Sequence, residues 1–279
     1  MKSKLKSAEM VSTKEGRQYH IGLAPGEVAP YIILTGDPGR IDKYSHLLKD
    51  IKYNMSNREY KTITGKYKNV PVSIMSTGMG PDNIEIAVVE LSQIVKDPTY
   101  IRIGTSGALQ KKIKLNDYVI STGAVRLETT STYFVDEGYP AVASYEVILA
   151  LAEAAKEGEA KYHLGLTGTG CGFYGVQGRK VPGFMPRFTD IPEQLAKMKV
   201  CNLEMESSAL FNLAQFSGAR AGTICQIIAN RPENTFIDPK PKEKGEEKLF
   251  MIALESILVL SKMDTLKGKN KYWLPSMSL

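Results

Sequence analysis

Two glutamates separated by one methionine stand in Asn202-Leu203-Glu204-Met205-Glu206-Ser207-Ser208. On extended backbone, positions two apart point to the same side, so Glu204 and Glu206 would face a common partner. Ser207 or Ser208 can begin a helix, because a hydroxyl there accepts from the free N–H groups of the first turn. A carboxylate held at such a strand-to-helix junction suits two adjacent hydroxyls, such as a ribose 2′,3′-diol. The competing reading is a surface helix whose first turn carries Glu to suit the dipole.

Three arginines accompany glycine-bearing or polar loops. Arg40 closes Gly36-Asp-Pro-Gly-Arg40, Arg102 precedes Ile-Gly104-Thr105-Ser-Gly107, and Arg58 sits in Ser56-Asn-Arg-Glu-Tyr60. Glycines at strand ends let backbone N–H groups approach an anion, and a guanidinium fork binds tetrahedral oxyanions bidentately. Any one of these arginines alone reads as a surface residue; three in such settings favour a phosphate. Gln177 and Arg179 lie two apart in another loop, with Phe173 and Tyr174 upstream. A glutamine amide both donates to and accepts from an imide edge, an arginine adds charge-assisted donation to a carbonyl, and a ring can stack on a heterocycle. Taken alone, the segment is also compatible with a polar surface loop.

Two patterns are set aside. Gly170-Cys-Gly-Phe-Tyr-Gly175 matches a dinucleotide fingerprint in letters, but that motif must open a helix. The following Val176-Gln-Gly-Arg-Lys-Val-Pro-Gly-Phe-Met-Pro186 carries two glycines and two prolines and cannot start one. His20, in Gln18-Tyr-His-Ile-Gly-Leu23, has no Ser/Asp arrangement around it, so no triad is read.

The elements that must hold these groups alternate. Strands are expected at Tyr31–Leu34, Val70–Met75, Tyr100–Ile103, Tyr118–Ser121 with Ala124–Arg126, His163–Thr167 and Ala221–Ala229. Helices are expected over 41–48, 83–94, 146–156, 210–216 and 248–262. In the second of these, Ile84, Ala87, Val88 and Leu91 keep helical spacing. The alternation describes an α/β domain, a class that binds ligands at the carboxyl ends of its strands. The least regular segments, 127–143, 175–188 and 230–243, are candidates for substrate contacts. Residues 1–18 read as a weakly ordered lead-in, 19–263 as one domain, and 264–279 as a tail.

At 279 residues the chain can bury a substantial core. No run approaches a membrane span, and the N-terminus lacks an apolar signal region. Cys171, Cys201 and Cys225 are scattered, which argues for a reducing, cytoplasmic setting and against a disulfide framework or zinc site. With only three histidines, a His-based metal centre is not expected. The net charge of +6 is spread among nearby acids, which argues against nucleic acid as partner.

Together these residues resemble the nucleoside phosphorylase family, which includes uridine phosphorylase and the hexameric type of purine nucleoside phosphorylase. The marks are Gly36-Asp-Pro-Gly-Arg40, Arg102-Ile-Gly-Thr-Ser-Gly107 and Glu204-Met-Glu206-Ser-Ser-Ala209; Phe173-Tyr-Gly-Val-Gln-Gly-Arg179 and Ala229-Asn-Arg231 point to the uridine branch. The resemblance implies a single α/β domain whose mixed, partly barrel-like sheet is flanked by helices. It implies reversible phosphorolysis of uridine to uracil and ribose 1-phosphate, with inorganic phosphate as co-substrate and no cofactor.

By the same resemblance Gly36, Arg40, Arg102, Gly104 and Thr105 would hold phosphate, joined by Arg58 of a neighbouring subunit. Glu206, Met205 and Glu204 would meet the ribose, with His20 of the neighbour at its 5′-hydroxyl. Phe173, Gln177, Arg179 and Arg231 would surround the base. Arg102, Gln177, Arg179 and Glu206 would carry the chemistry, in a dimer or a trimer of dimers. A monovalent cation beside Glu59 stays open, because the loop Met79-Gly-Pro-Asp-Asn83 has Asn where members that hold one use Ser. The alternatives are a purine nucleoside phosphorylase, a nucleosidase using water, and a non-catalytic nucleotide binder.

Overall fold

The computed structural model describes residues 8–9 and 11–278. One mixed sheet of eleven strands organises the chain. Its first layer is β1 (Tyr31–Thr35), α1 (Pro38–Tyr44), the hairpin β2 (Lys49–Asn57) and β3 (Tyr60–Tyr67), β4 (Val70–Ser76) and α2 (Pro81–Ser92). Then come β5 (Thr99–Ala108), β6 (Tyr118–Leu127), β7 (Ala141–Val142), α3 (Tyr145–Glu157) and β8 (Tyr162–Gly170). The chain closes with α4 (Ile191–Lys197), β9 (Asn202–Glu204), α5 (Ser207–Phe216), β10 (Arg220–Asn230), β11 (Thr235–Phe236) and α6 (Pro239–Lys267).

Part of the sheet shuts on itself. β5 pairs β10 in parallel, β10 pairs β6 antiparallel, β6 pairs β8 and β8 pairs β9 in parallel, and β9 returns antiparallel to β5. Five strands thus form a barrel. β1, β4, β3 and β2 continue from β5 as an open wing.

Helices cover both faces; α2 and α3 do so through one apolar stripe, whereas α5 is buried at every position from Ser207 to Ala214. On α2 the buried residues include Ile84, Ala87, Val88 and Leu91, the spacing read from the sequence, and they pack with Leu210, Phe211 and Ala214 of α5. On the other face, Val147 and Leu151 of α3 and Leu249, Phe250 and Ile257 of α6 join Ile41 and Tyr44 of α1.

Several boundaries differ from expectation. β5 runs through Gly104-Thr105-Ser106-Gly107 and does not end before it. The β2–β3 hairpin went unread: Ile51, Tyr53 and Met55 alternate with polar residues in β2, but the strand is largely solvent-facing. α6 begins at Pro239, within the segment expected to be irregular, since a proline is tolerated at the first helical position. It ends at Lys267, inside the expected tail, and Tyr145 Oη donates to the Trp273 carbonyl at 2.8 Å. Of the expected weakly ordered lead-in, residues 1–7 and 10 lie outside the described residues. Within 11–18 the chain is tied down, with Ser12 bridging to Gln18 and Arg17 paired to Glu27 at 2.6 Å. No helix among the described residues is long and apolar enough to cross a membrane.

Candidate active site

A cavity of about 500 Å³ opens at the carboxyl ends of β1, β4, β5 and β9. Gly36, Arg40, Arg102 and Thr105 line it together with Glu204, Met205 and Glu206 and with Phe173, Gln177 and Arg179. Residues more than a hundred positions apart in sequence meet here because β5 is hydrogen-bonded to β1, β10 and β9 at once.

Arg102 is 5% exposed, so its charge needs partners. Its Nη2 donates to Glu206 Oε2, while Nη1 lies 3.6 Å from Glu204 Oε2 and 3.8 Å from Cys225 Sγ. Burial lowers the proton affinity of Arg102, but the two carboxylates outweigh it and hold the guanidinium firmly charged. Burial pushes the Glu206 carboxyl up; Arg102 pulls against it and the Glu204 charge adds to it. Burial also raises the Cys225 thiol to about 12, so it meets Arg102 as a neutral, weak acceptor. Gly104 serves this cluster from beneath. A Cβ at that position would stand 2.2 Å from Arg102 Nη1, so only glycine lets the guanidinium fold back over its own strand. Gly104 itself is not among the residues that line the cavity, though its neighbour Thr105 is.

The start of α5 departs from expectation in one respect. Neither serine hydroxyl caps the helix. Glu204 does so in their place, accepting from the N–H groups of Glu206 at 3.0 Å and Ser207 at 3.1 Å. Glu206 accepts from the Gly80 N–H at 2.8 Å and the Met205 N–H at 3.2 Å.

Arg40 reaches the cavity from the first turn of α1. Its Nη2 donates to Glu246 of α6 at 2.9 Å and its Nη1 to Thr35 Oγ1 at 3.2 Å, leaving Nε buried without a partner. In the loop after β8, Arg179 lies over the Phe173 ring at 3.9 Å and donates from Nε to the Phe173 carbonyl at 3.0 Å. Burial, then the nearby Arg231, lowers the Arg179 proton affinity. Arg231 stands behind this group. It donates to the Gln177 carbonyl at 2.9 Å and lines a neighbouring cavity of about 750 Å³. The segment 176–186 contains turns and no helix, in keeping with its two glycines and two prolines.

His20 and Arg58 line neither cavity. They sit together elsewhere: Arg58, at the tip of the β2–β3 hairpin, stacks on Tyr19 at 5.3 Å, and His20 Nδ1 meets Glu90 Oε1 at 2.7 Å. Glu59 packs against Gly78, with its Cγ 3.2 Å from where a Cβ would be. Sequence reasoning missed Met79, Leu203, Ile228 and Phe236 in the cavity wall. Met79, in Ser76-Thr-Gly-Met-Gly80, had a signal in that strand-end glycine loop; Phe236 had none. Among the described residues, no group of three His, Cys, Asp or Glu side chains is arranged to hold a metal.

A family model described as the phosphorylase superfamily matches residues 30–257. The chain is 42% identical over 281 residues to a uridine phosphorylase of Thermococcus kodakarensis, covering 99% of each. It is 35% identical over 243 residues to a uridine phosphorylase of Escherichia coli, covering 85% of this chain and 96% of that one. It is also 32% identical over 251 residues to a guanosine phosphorylase of Halorubrum lacusprofundi, covering 88% and 99%. With a matching model over most of its length and relatives alike from end to end, this chain belongs to the phosphorylase superfamily.

Proposed function

We propose that the chain catalyses reversible phosphorolysis of uridine, giving uracil and ribose 1-phosphate. One observation carries this reading: a single cavity is lined at once by Gly36, Arg40 and Arg102, by the buried carboxylates Glu204 and Glu206, and by Gln177 and Arg179. The relatives named uridine phosphorylase support it.

Orthophosphate binds at Gly36, Arg40, Arg102 and Thr105, below C1′ of the sugar. Holding the second reactant there lowers the barrier by several kcal/mol, on the order of 7–11 at best. Glu206 accepts from the ribose hydroxyls, and Met205 packs against the ring. The C1′–N1 bond breaks with its electron pair going to the base, and C1′ gains oxocarbenium character. The negative charge on uracil spreads to its carbonyl oxygens, where Gln177 and Arg179 donate; one well-placed donor of this kind is worth roughly 3–4 kcal/mol. A phosphate oxygen then bonds C1′, and the uracil anion takes its proton from solvent. No side chain has to supply that proton.

His20 and Arg58 belong to this scheme through a second copy of the chain, Arg58 at phosphate and His20 at the 5′-hydroxyl. The smallest competent unit is then a dimer. Subunits carrying Arg58→Ala, mixed with subunits carrying Glu206→Ala, are expected to regain activity in hybrid dimers; proven mixing without regain removes the shared site. The three free cysteines fit a reducing cytoplasm.

The guanosine phosphorylase relative favours a second reading. Guanine also presents a carbonyl beside an N–H, as a lactam, so the Gln177–Arg179 pair does not by itself reject a purine. Base release from uridine, thymidine, inosine and guanosine, with and without phosphate, separates the cases. Uracil release that requires phosphate is expected. Release without phosphate indicates a hydrolase, and faster turnover of inosine or guanosine a purine enzyme.

A further inference from the structure

A carboxylate that binds a ligand keeps lone pairs free for it, whereas one that holds the fold spends them on the chain. Glu204 and Glu206 differ in this respect. A carboxylate offers about four acceptor directions. Glu204 Oε1 accepts from the Thr169 hydroxyl at 2.6 Å and the Ser207 N–H at 3.1 Å. Its Oε2 accepts from the N–H groups of Glu206 at 3.0 Å and Ser207 at 3.1 Å, and faces Arg102. Glu206 Oε2 is likewise taken, by Arg102 and by the Met205 N–H at 3.2 Å, but Glu206 Oε1 accepts from Gly80 alone and is the one oxygen of the four with a single donor.

The first N–H groups of a helix have no partner inside it. In α5 those of Glu206 and Ser207 close on Glu204, and that of Ser208 closes on Thr169 Oγ1 at 3.0 Å. The serine hydroxyls offer no substitute: Ser208 Oγ donates to Glu128, and Ser207 Oγ is buried without a partner. Thr169 and Glu204 stand opposite each other across the β8–β9 ladder, so their bond is part of the barrel wall.

We propose that Thr169 and Glu204 are a positioning pair for the reaction. They fasten the first turn of α5 so that the Glu206 carboxylate and the Arg102 guanidinium keep their places in the cavity, and Glu204 does not touch the sugar. The inference rests on the functional reading above and corrects the placing of Glu204 among the sugar-binding groups.

The test compares full-length Thr169→Val, Thr169→Ser, Glu204→Gln and the double variant Thr169→Val/Glu204→Gln, varying uridine and phosphate separately. Thr169→Val and Glu204→Gln are each expected to lower kcat about tenfold or more, the equivalent of one lost charge-assisted bond. The uridine KM is expected to change by less than about threefold, because the loss falls on the transition state. Thr169→Ser should recover most of the rate. The double variant should be little worse than Glu204→Gln alone, since both cut one link. In a crystal structure of the Thr169→Val protein, the Glu206 carboxylate should be displaced from Arg102.

Native kinetics for Thr169→Val, or additive losses in the double variant, overturn the pairing. A raised uridine KM with unchanged kcat in Glu204→Gln makes Glu204 a sugar ligand and overturns its role. If Glu204→Gln does not fold, the valine and serine variants of Thr169 decide the matter alone. Wild-type protein that prefers inosine or guanosine defeats the uridine reading, and the comparison is then made on that nucleoside. An unmoved Glu206 in the Thr169→Val crystal defeats the positioning role whatever the substrate.

Discussion

Arg102 and Arg220 sit on neighbouring parallel strands, β5 and β10, and each faces two carboxylates. Their bonding is unlike. Arg220 donates to both oxygens of Asp264 at 2.8 and 2.7 Å, to Glu146 at 3.1 Å and to Thr99 at 3.0 Å. It clamps α3 and α6 to the base of the barrel, and its forked geometry is filled. Arg102, far more buried, has one close partner, a carboxylate at 3.6 Å and a neutral thiol at 3.8 Å. An arginine in a fully bonded clamp serves stability. An arginine with donors left over, facing a cavity, has something to give a ligand.

Substitutions can break this distinction. Arg102→Ala has the largest expected effect: kcat/KM for uridine should fall by about a thousandfold or more, read from phosphate-dependent uracil release. It also leaves Glu204 and Glu206 buried without their cation, which should cost roughly 3–5 kcal/mol in a denaturant melt. Arg220→Ala should cost about 3 kcal/mol of stability and leave the kcat of the folded protein unchanged. A folded but silent Arg220→Ala enzyme would erase the contrast. Arg179→Ala should lower uridine turnover by about a hundredfold while the phosphate KM stays within about twofold; equal loss of both contradicts its assignment to the base.

The smallest effect is a shift along the pH axis. Glu206 faces Arg102 from β5, Glu204 from β9 and Cys225 from β10. Its carboxyl is raised by burial and by the Glu204 charge, against the pull of Arg102. A raised acid must lose its proton before it can accept from the sugar. Removing the Glu204 charge in Glu204→Gln therefore lets Glu206 ionise at lower pH. The acid limb of kcat/KM should move down, and a limb that stays or moves up contradicts the assignment.

Much of the cavity was legible because its motifs are local. Glu204-Met205-Glu206 reads as a junction once the arginine and glycine loops are set beside it, though the segment alone also fits a surface helix, and the glycines after β1 and β4 mark strand ends. What stayed hidden depends on distance along the chain. The Arg40–Glu246 bond joins residues 206 positions apart, and neither residue's neighbours announce it. The room that Gly104 leaves for Arg102, two residues earlier on the same strand, was likewise not announced by its neighbours. Phe236 reaches the cavity through a two-residue strand too short to have a period. The family resemblance supplied Arg231, whose contact with the Gln177 carbonyl crosses 54 positions.

β5 shares its ladder with β1 and β10, and with β9 at its end, whereas the segment 171–190 between β8 and α4 has one isolated bridge, Val181 to Phe184. Amide hydrogens on such a strand reach solvent only when the barrel opens as a whole, while those of the loop exchange locally. A base analogue that orders the loop should slow deuterium uptake there and leave β5 as it was, so two walls of one cavity keep separate isotopic clocks.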